Sequence, residues 1–230
     1  MMKDDDRAVS LLRQFLRINT TNPPGNEEEG ILFLEAVLKG AGISSAIYRS
    51  APKRANLLAR IKGKRDGKPI ILLSHVDVVA AREDEWDTDP FGGEIRDGFI
   101  YGRGAIDMKS QTICQLLAFK ALREKGTVPE RDILFLATGD EEVGGKFGAE
   151  YMVREVSELR DASFVLSEGG CITPGAKCDC AAASHEGDHR QERSCHRDPA
   201  TMTMLARSSS GQRTCCSTRS MRARRSASAS

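Results

Sequence analysis

The chain has 230 residues, of which 40% are hydrophobic and 29% charged, and its formal net charge is +1. That length suits one substantial domain or two small ones. The near-neutral charge argues against a nucleic-acid binder and against a polyacidic protein, and no run of about 18 consecutive apolar residues marks a transmembrane helix.

The opening, "MMKDDDRAVSLLRQFLRINT", does not read as a secretory signal. Three aspartates occupy the n-region, and its apolar residues recur at helical spacing rather than as one block. The default location is cytoplasmic. Residues 5–17 place Val9, Leu12, Phe15 and Leu16 on one helical face. "TNPPGNEEEG" is a loop. Asn26 is expected to cap a second helix reaching about Lys39, with Gly40 and Gly42 ending it. "NLLARI" (56–61) and "PIILLSH" (69–75) read as strands joined by the turn "KGKRDGK". The second is continuously apolar, as a strand buried on both faces should be. Residues 80–98 read as a long loop, and a helix is expected over about 108–125. "DILFLATG" (132–139) is another buried strand, followed by a helix near 147–158 and a short strand within 163–170. Alternating strands and helices predict an α/β fold, a three-layer sandwich with a largely parallel central sheet.

Composition changes sharply near residue 171. Every Phe, Tyr and Trp precedes it, whereas six of the seven Cys and three of the four His come after it. The last 60 residues carry nine Arg and one Lys against five acids, with one Leu, one Ile and no Val. Such a stretch buries too little apolar surface to offset its ordering entropy. The expected organisation is a folded domain over 1–176 and a disordered Arg/Ser/Cys-rich tail over 177–230.

The residues just after each buried strand are chemically distinctive. The first strand gives His75 and Asp77, "FIYGRGAIDMK" gives Asp107, "ATGDEEVGG" gives Asp140, Glu141 and Glu142, and "FVLSEGG" gives Glu168. In largely parallel sheets, ligands gather beyond the carboxyl ends of the strands. Each residue alone has a plain explanation: His75 as a core histidine, Asp77 capping a turn, Asp107 as a helix N-cap, Glu141 and Glu142 as first-turn acids, Glu168 as a loop acid. Together they create like-charge repulsion that cations would relieve. A mixture of imidazole and carboxylates suits Zn²⁺, and a shared carboxylate permits two metals about 3.5–4 Å apart.

At these residues the sequence resembles the zinc hydrolase family that contains acetylornithine deacetylase, succinyl-diaminopimelate desuccinylase, aminoacylase and the carboxypeptidase G and S enzymes. The resemblance rests on "SHVDVV", "WDTDPFGGEIRDGFIYGRGAIDMK", "TGDEEVGG" and "SEGG", and covers about residues 5–175. It implies that His75 and Glu168 hold one zinc, that Glu142 holds a second, and that Asp107 bridges both. It implies that Asp77 orients His75, and that Glu141 takes a proton from the attacking water and returns it to the leaving amine. Zn²⁺ is the implied cofactor, with Co²⁺ as a possible substitute. The implied substrate is a small N-acyl amino acid or peptide, with no nucleic-acid or membrane partner.

The family's final histidine ligand, its lid and its dimerisation domain are not recognisable here, so impaired activity is expected. A tail read out of frame, spliced or misassembled would account for the loss. His185, His189 and His196 are the only substitutes for that ligand, and "CDCAAASHEGDH" fits no common zinc spacing. The cysteines of a cytoplasmic chain are expected to be reduced. Three rival readings are a non-catalytic metal-binding or partner-binding remnant, a nucleotide-binding domain at "GRGAID", and a basic tail on nucleic acid. Asp107 would repel phosphate in the second, and the third lacks aromatic residues for stacking.

Overall fold

The computed structural model describes residues 4–168. Helices α1 (Asp4–Leu16), α2 (Glu27–Gly40), α3 (Lys109–Glu124) and α4 (Ala149–Glu155) surround strands β1 (Ser45–Ala51), β2 (Arg54–Ile61), β3 (Ile70–His75), β6 (Ile133–Thr138) and β7 (Phe164–Leu166). The sheet order is β1-β2-β6-β3-β7. β6, β3 and β7 run parallel, whereas β2 is antiparallel to both β1 and β6. Four of the five strands therefore point the same way, as a largely parallel sheet requires.

The strands alternate between two apolar layers, as their period of two dictates. Leu57, Ala59, Ile61, Phe135 and Ala137 pack against Phe15, Ile31, Leu34, Ile113, Leu116 and Phe119 from the first three helices. Leu58, Ile71, Leu73, Leu134 and Leu136 face the other way, onto Met152 and Leu159. The result is the expected helix–sheet–helix sandwich, and among the described residues no helix is long and apolar enough to cross a membrane.

Several local expectations change. β2 and β3 are not neighbours: β6 lies between them, so "KGKRDGK" spans a strand rather than closing a hairpin. β1 adds a strand that no apolar run marks, because as an edge strand it has no fully buried residue to betray it. The expected loop over 80–98 contains β4 (Glu94–Arg96), which pairs with β5 (Phe99–Tyr101) through Asp97 and Gly98, at φ 54° and 80°. The Asp-Gly pair supplies the two positive φ angles that a tight hairpin needs. Asn26 holds the cap position of α2, but its Nδ2 donates to the Asn19 carbonyl at 3.1 Å instead of its oxygen capping the helix. The expected boundary at 176/177, the tail and its three histidines lie outside the described residues.

Candidate metal centre

β6, β3 and β7 end side by side: His75 is in register with Thr138, and Leu72 with Leu166. The residues just beyond these ends therefore share one edge of the sheet. After β6 the chain turns through Asp140, in the left-handed region at φ 65°, into the 3₁₀ turn Glu141–Val143. After β7 comes Glu168. Asp107 arrives from the segment before α3, which is capped at Met108 with no side-chain hydrogen bond. Asp107 is thus free of the N-cap role that its position also allowed.

The side chains converge. His75 is 2% exposed, and its Nε2 lies 3.0 Å from Asp107 Oδ1, 3.6 Å from Glu168 Oε2 and 3.8 Å from Glu141 Oε2. Potential ligand atoms of His75, Asp107 and Glu142 lie within 4.8 Å of one another, as do those of His75, Glu141 and Glu168. Both members of the Glu141–Glu142 pair reach the cluster. On the far side of the ring, Nδ1 sits 3.0 Å from the Asp77 carbonyl oxygen and 3.5 Å from its carboxylate Oδ1. Asp77 thus lies behind His75, with its backbone carbonyl nearer to the ring than its carboxylate. The fully buried Asp77 carboxylate accepts instead from Asn22 Nδ2 at 3.0 Å and from the backbone N–H groups of Glu141 and Glu142 at 3.2 and 3.1 Å.

The electrostatics describe a place short of positive charge. Burial presses the His75 pKa down, but the carboxylates of Asp107, Asp77 and Glu168 outweigh it and hold the ring well above its usual range. Contact with His75 lowers Asp107 against the opposing effect of burial. Burial raises Glu141, and it pushes Glu142 up to about 7 against the pull of His75. Held protonated by these neighbours, the ring directs its Nδ1 N–H at the Asp77 carbonyl and its Nε2 N–H at the carboxylate oxygens, and a bound cation would take the place of the Nε2 proton. A cation fits between them. One imidazole with four carboxylates is a donor set that suits a divalent cation such as Zn²⁺.

Three residues at the site carry no role assigned from sequence: Asn22, Arg54 and Asp140. Arg54 Nη1 lies 2.5 Å from Asp140 Oδ1, and its Nη2 donates to Asn22 Oδ1 at 3.0 Å. Asp140 stood among the strand-end acids without a role, while Arg54 opens the apolar strand "RANLLARI" and Asn22 precedes two prolines, signals that also fit ordinary surface positions.

The family model for peptidase family M20/M25/M40 matches residues 71–211. The chain is 38% identical to aminoacylase-1 of Sus scrofa over 166 residues, spanning 70% of this chain and 40% of that protein. It is 39% identical to succinyl-diaminopimelate desuccinylase of Bradyrhizobium sp. (strain ORS 278) over 141 residues, 59% of this chain and 36% of the other. The chain thus spans about two fifths of the length of these curated relatives. Among solved structures, an M20 family metallo-carboxypeptidase from Sulfolobus solfataricus superposes with a TM-score of 0.62 at 24% identity, covering 74% of this chain and 38% of its own. Human carnosine dipeptidase 1 gives 0.60 at 21%, covering 70% and 38%. These superpositions establish the fold, and the family model, matching more than half of the chain, establishes the lineage: the chain belongs to peptidase family M20/M25/M40.

Proposed function

We propose that this chain carries the metal-binding half of a zinc-dependent hydrolase that cleaves amide bonds in N-acyl amino acids or small peptides. The observation that supports this most is the convergence of His75 Nε2 with Asp107, Glu141, Glu142 and Glu168, delivered by four separate segments to one edge of the sheet. In this reading His75 and Glu168 hold one zinc, Glu142 the second, and Asp107 both. When bound, the metal would supply a Lewis acid that polarises a carbonyl and acidifies a water.

The chain's own groups do the rest. Glu141, its pKa raised by burial, takes a proton from the attacking water and hands it to the amine nitrogen as the C–N bond breaks. Asp77 fixes the His75 tautomer through its backbone carbonyl and ties the glutamate turn to the same point through its carboxylate. Asp107, with 54% of its side chain exposed, lies on the open side from which a substrate can approach.

The second metal is the weaker-held of the two in this reading, because the described residues give it two carboxylates and no imidazole of its own. We accordingly take the chain to be an impaired hydrolase. Metal analysis after dialysis, combined with an assay on N-acyl amino acids and dipeptides, tests both points. The expected result is about one tightly held zinc per chain and little or no cleavage. Loss of all metal from a folded protein would overturn the site, and two retained zincs with rapid turnover would overturn the impairment.

A further inference from the structure

Behind the carboxylate cluster lies a second, buried polar group. Asn22 is 1% exposed and Asp140 is 2% exposed, and Arg54 keeps only 12% of its side chain accessible. The Asn22 amide is their junction. Its Nδ2 donates to Asp77 Oδ2 at 3.0 Å and to Asp140 Oδ1 at 3.1 Å, while its Oδ1 accepts from Arg54 Nη2 at 3.0 Å. Arg54 also reaches Asp140 Oδ1 at 2.5 Å and the Pro24 carbonyl at 2.7 Å. Asp140 in turn accepts from the Phe147 N–H at 2.9 Å, and its own carbonyl accepts from the Gly145 N–H.

This connectivity constrains the glutamate turn from two directions. Asp140 has a left-handed backbone that an L-residue adopts at a cost of order 1 kcal/mol or more, and it immediately precedes Glu141 and Glu142. Its carboxylate is locked by Arg54, Asn22 and the backbone at Phe147. Asp77, the other end of the chain of contacts, holds the N–H groups of those same glutamates and touches His75. Asp77 and Asp140 are buried with one neighbouring guanidinium, which also serves Glu27 at 3.4 Å, so they need a donor between them, and Asn22 is that donor.

We propose that Asn22, Arg54 and Asp140 form a clamp of positioning residues that fixes the glutamate turn and Asp77 so that the carboxylates and His75 meet in metal-binding geometry. This rests on the metal-site reading above. None of the three touches the metal position; they act through Asp77 and through the backbone of Glu141 and Glu142.

The test uses the full 230-residue chain and Co²⁺ as the probe. Affinity and the visible ligand-field spectrum are measured for wild type, Asn22→Asp, Arg54→Gln and Arg54→Lys, with thermal melting of each metal-free protein. Asn22→Asp keeps the shape but replaces two donated hydrogen bonds with repulsion. Ile43→Ala, a buried change in the turn just past α2, sets what destabilisation alone does to affinity. The expected result is a loss of metal affinity of about tenfold to a hundredfold in Asn22→Asp and Arg54→Gln, with an altered Co²⁺ spectrum and partial retention in Arg54→Lys. Affinity within twofold of wild type in the folded variants would overturn the proposal. So would a loss that only tracks melting temperature as Ile43→Ala does, including a variant too unstable to fold. A wild-type chain that binds no Co²⁺ would overturn the metal reading itself, and the clamp with it.

Discussion

Glu141 and Glu142 are adjacent, yet each falls in a different triad with His75, one with Glu168 and the other with Asp107. If Glu141 is the proton carrier and Glu142 a ligand, their amide variants should differ. Glu141→Gln should keep metal affinity nearly intact and remove whatever turnover exists. Glu142→Gln should weaken one metal, and isothermal titration with Zn²⁺ should show equal loss in the two variants only if this division is wrong. Glu27 offers a separate test. It is fully buried, Oε2 has no hydrogen-bond partner, and burial pushes its carboxyl up to about 7 despite Arg54 nearby. A carboxyl with a folded pKa above its unfolded value of 4.5 binds more protons when folded, so stability falls as pH rises from about 4.5 to about 7. Glu27→Gln should raise the melting temperature at pH 8, where the benefit is at most about 3 kcal/mol, and change little at pH 5.

At the scale of elements, α1 and α3 are joined by a lysine. Lys109, fully buried at the start of α3, donates to the Phe15 carbonyl at 3.1 Å and the Ile18 carbonyl at 2.7 Å, and lies 4.8 Å from the centre of the Phe15 ring. It thereby ties the chain just after Asp107 to the end of α1. Lys109→Met should cost about 1 kcal/mol in chemical denaturation, because the half-buried Ile18 carbonyl loses its donor while the Phe15 carbonyl keeps the Ile18 N–H. Position explains which features the sequence disclosed. The apolar runs of β3 and β6 and the 3.6-residue period of α1 and α3 are strong local signals, and the acids beyond each strand end mark the site. Sheet order is not local: nothing in "NLLARI" or "PIILLSH" announces that β6 comes between them. Asn22 and Arg54 become functional candidates only once folding brings residues 55 and 86 positions away against them. Polar residues of this kind have no periodicity to betray them.

At the scale of the whole molecule, the proposed metal site joins parts of unequal firmness. β3 pairs with β6 along all six of its residues, from Ile70 to His75, but with β7 only from Ile70 to Leu72. β7 has three residues, with Phe164 and Leu166 partly accessible and only Val165 fully in the core. Glu168 hangs two residues beyond that strand. Short strands with few apolar contacts open at a small fraction of the global unfolding free energy. If Glu168 is a ligand as proposed, fraying of β7 would withdraw it while His75, Asp107 and Glu142 stay in place, and the ion's residence time would be set by local opening rather than by global unfolding. Amide exchange at Val165 should slow on metal addition more than exchange at Phe135 in the sheet interior. Chelator-driven release should then proceed at the β7 opening rate and become independent of chelator concentration once chelator is abundant.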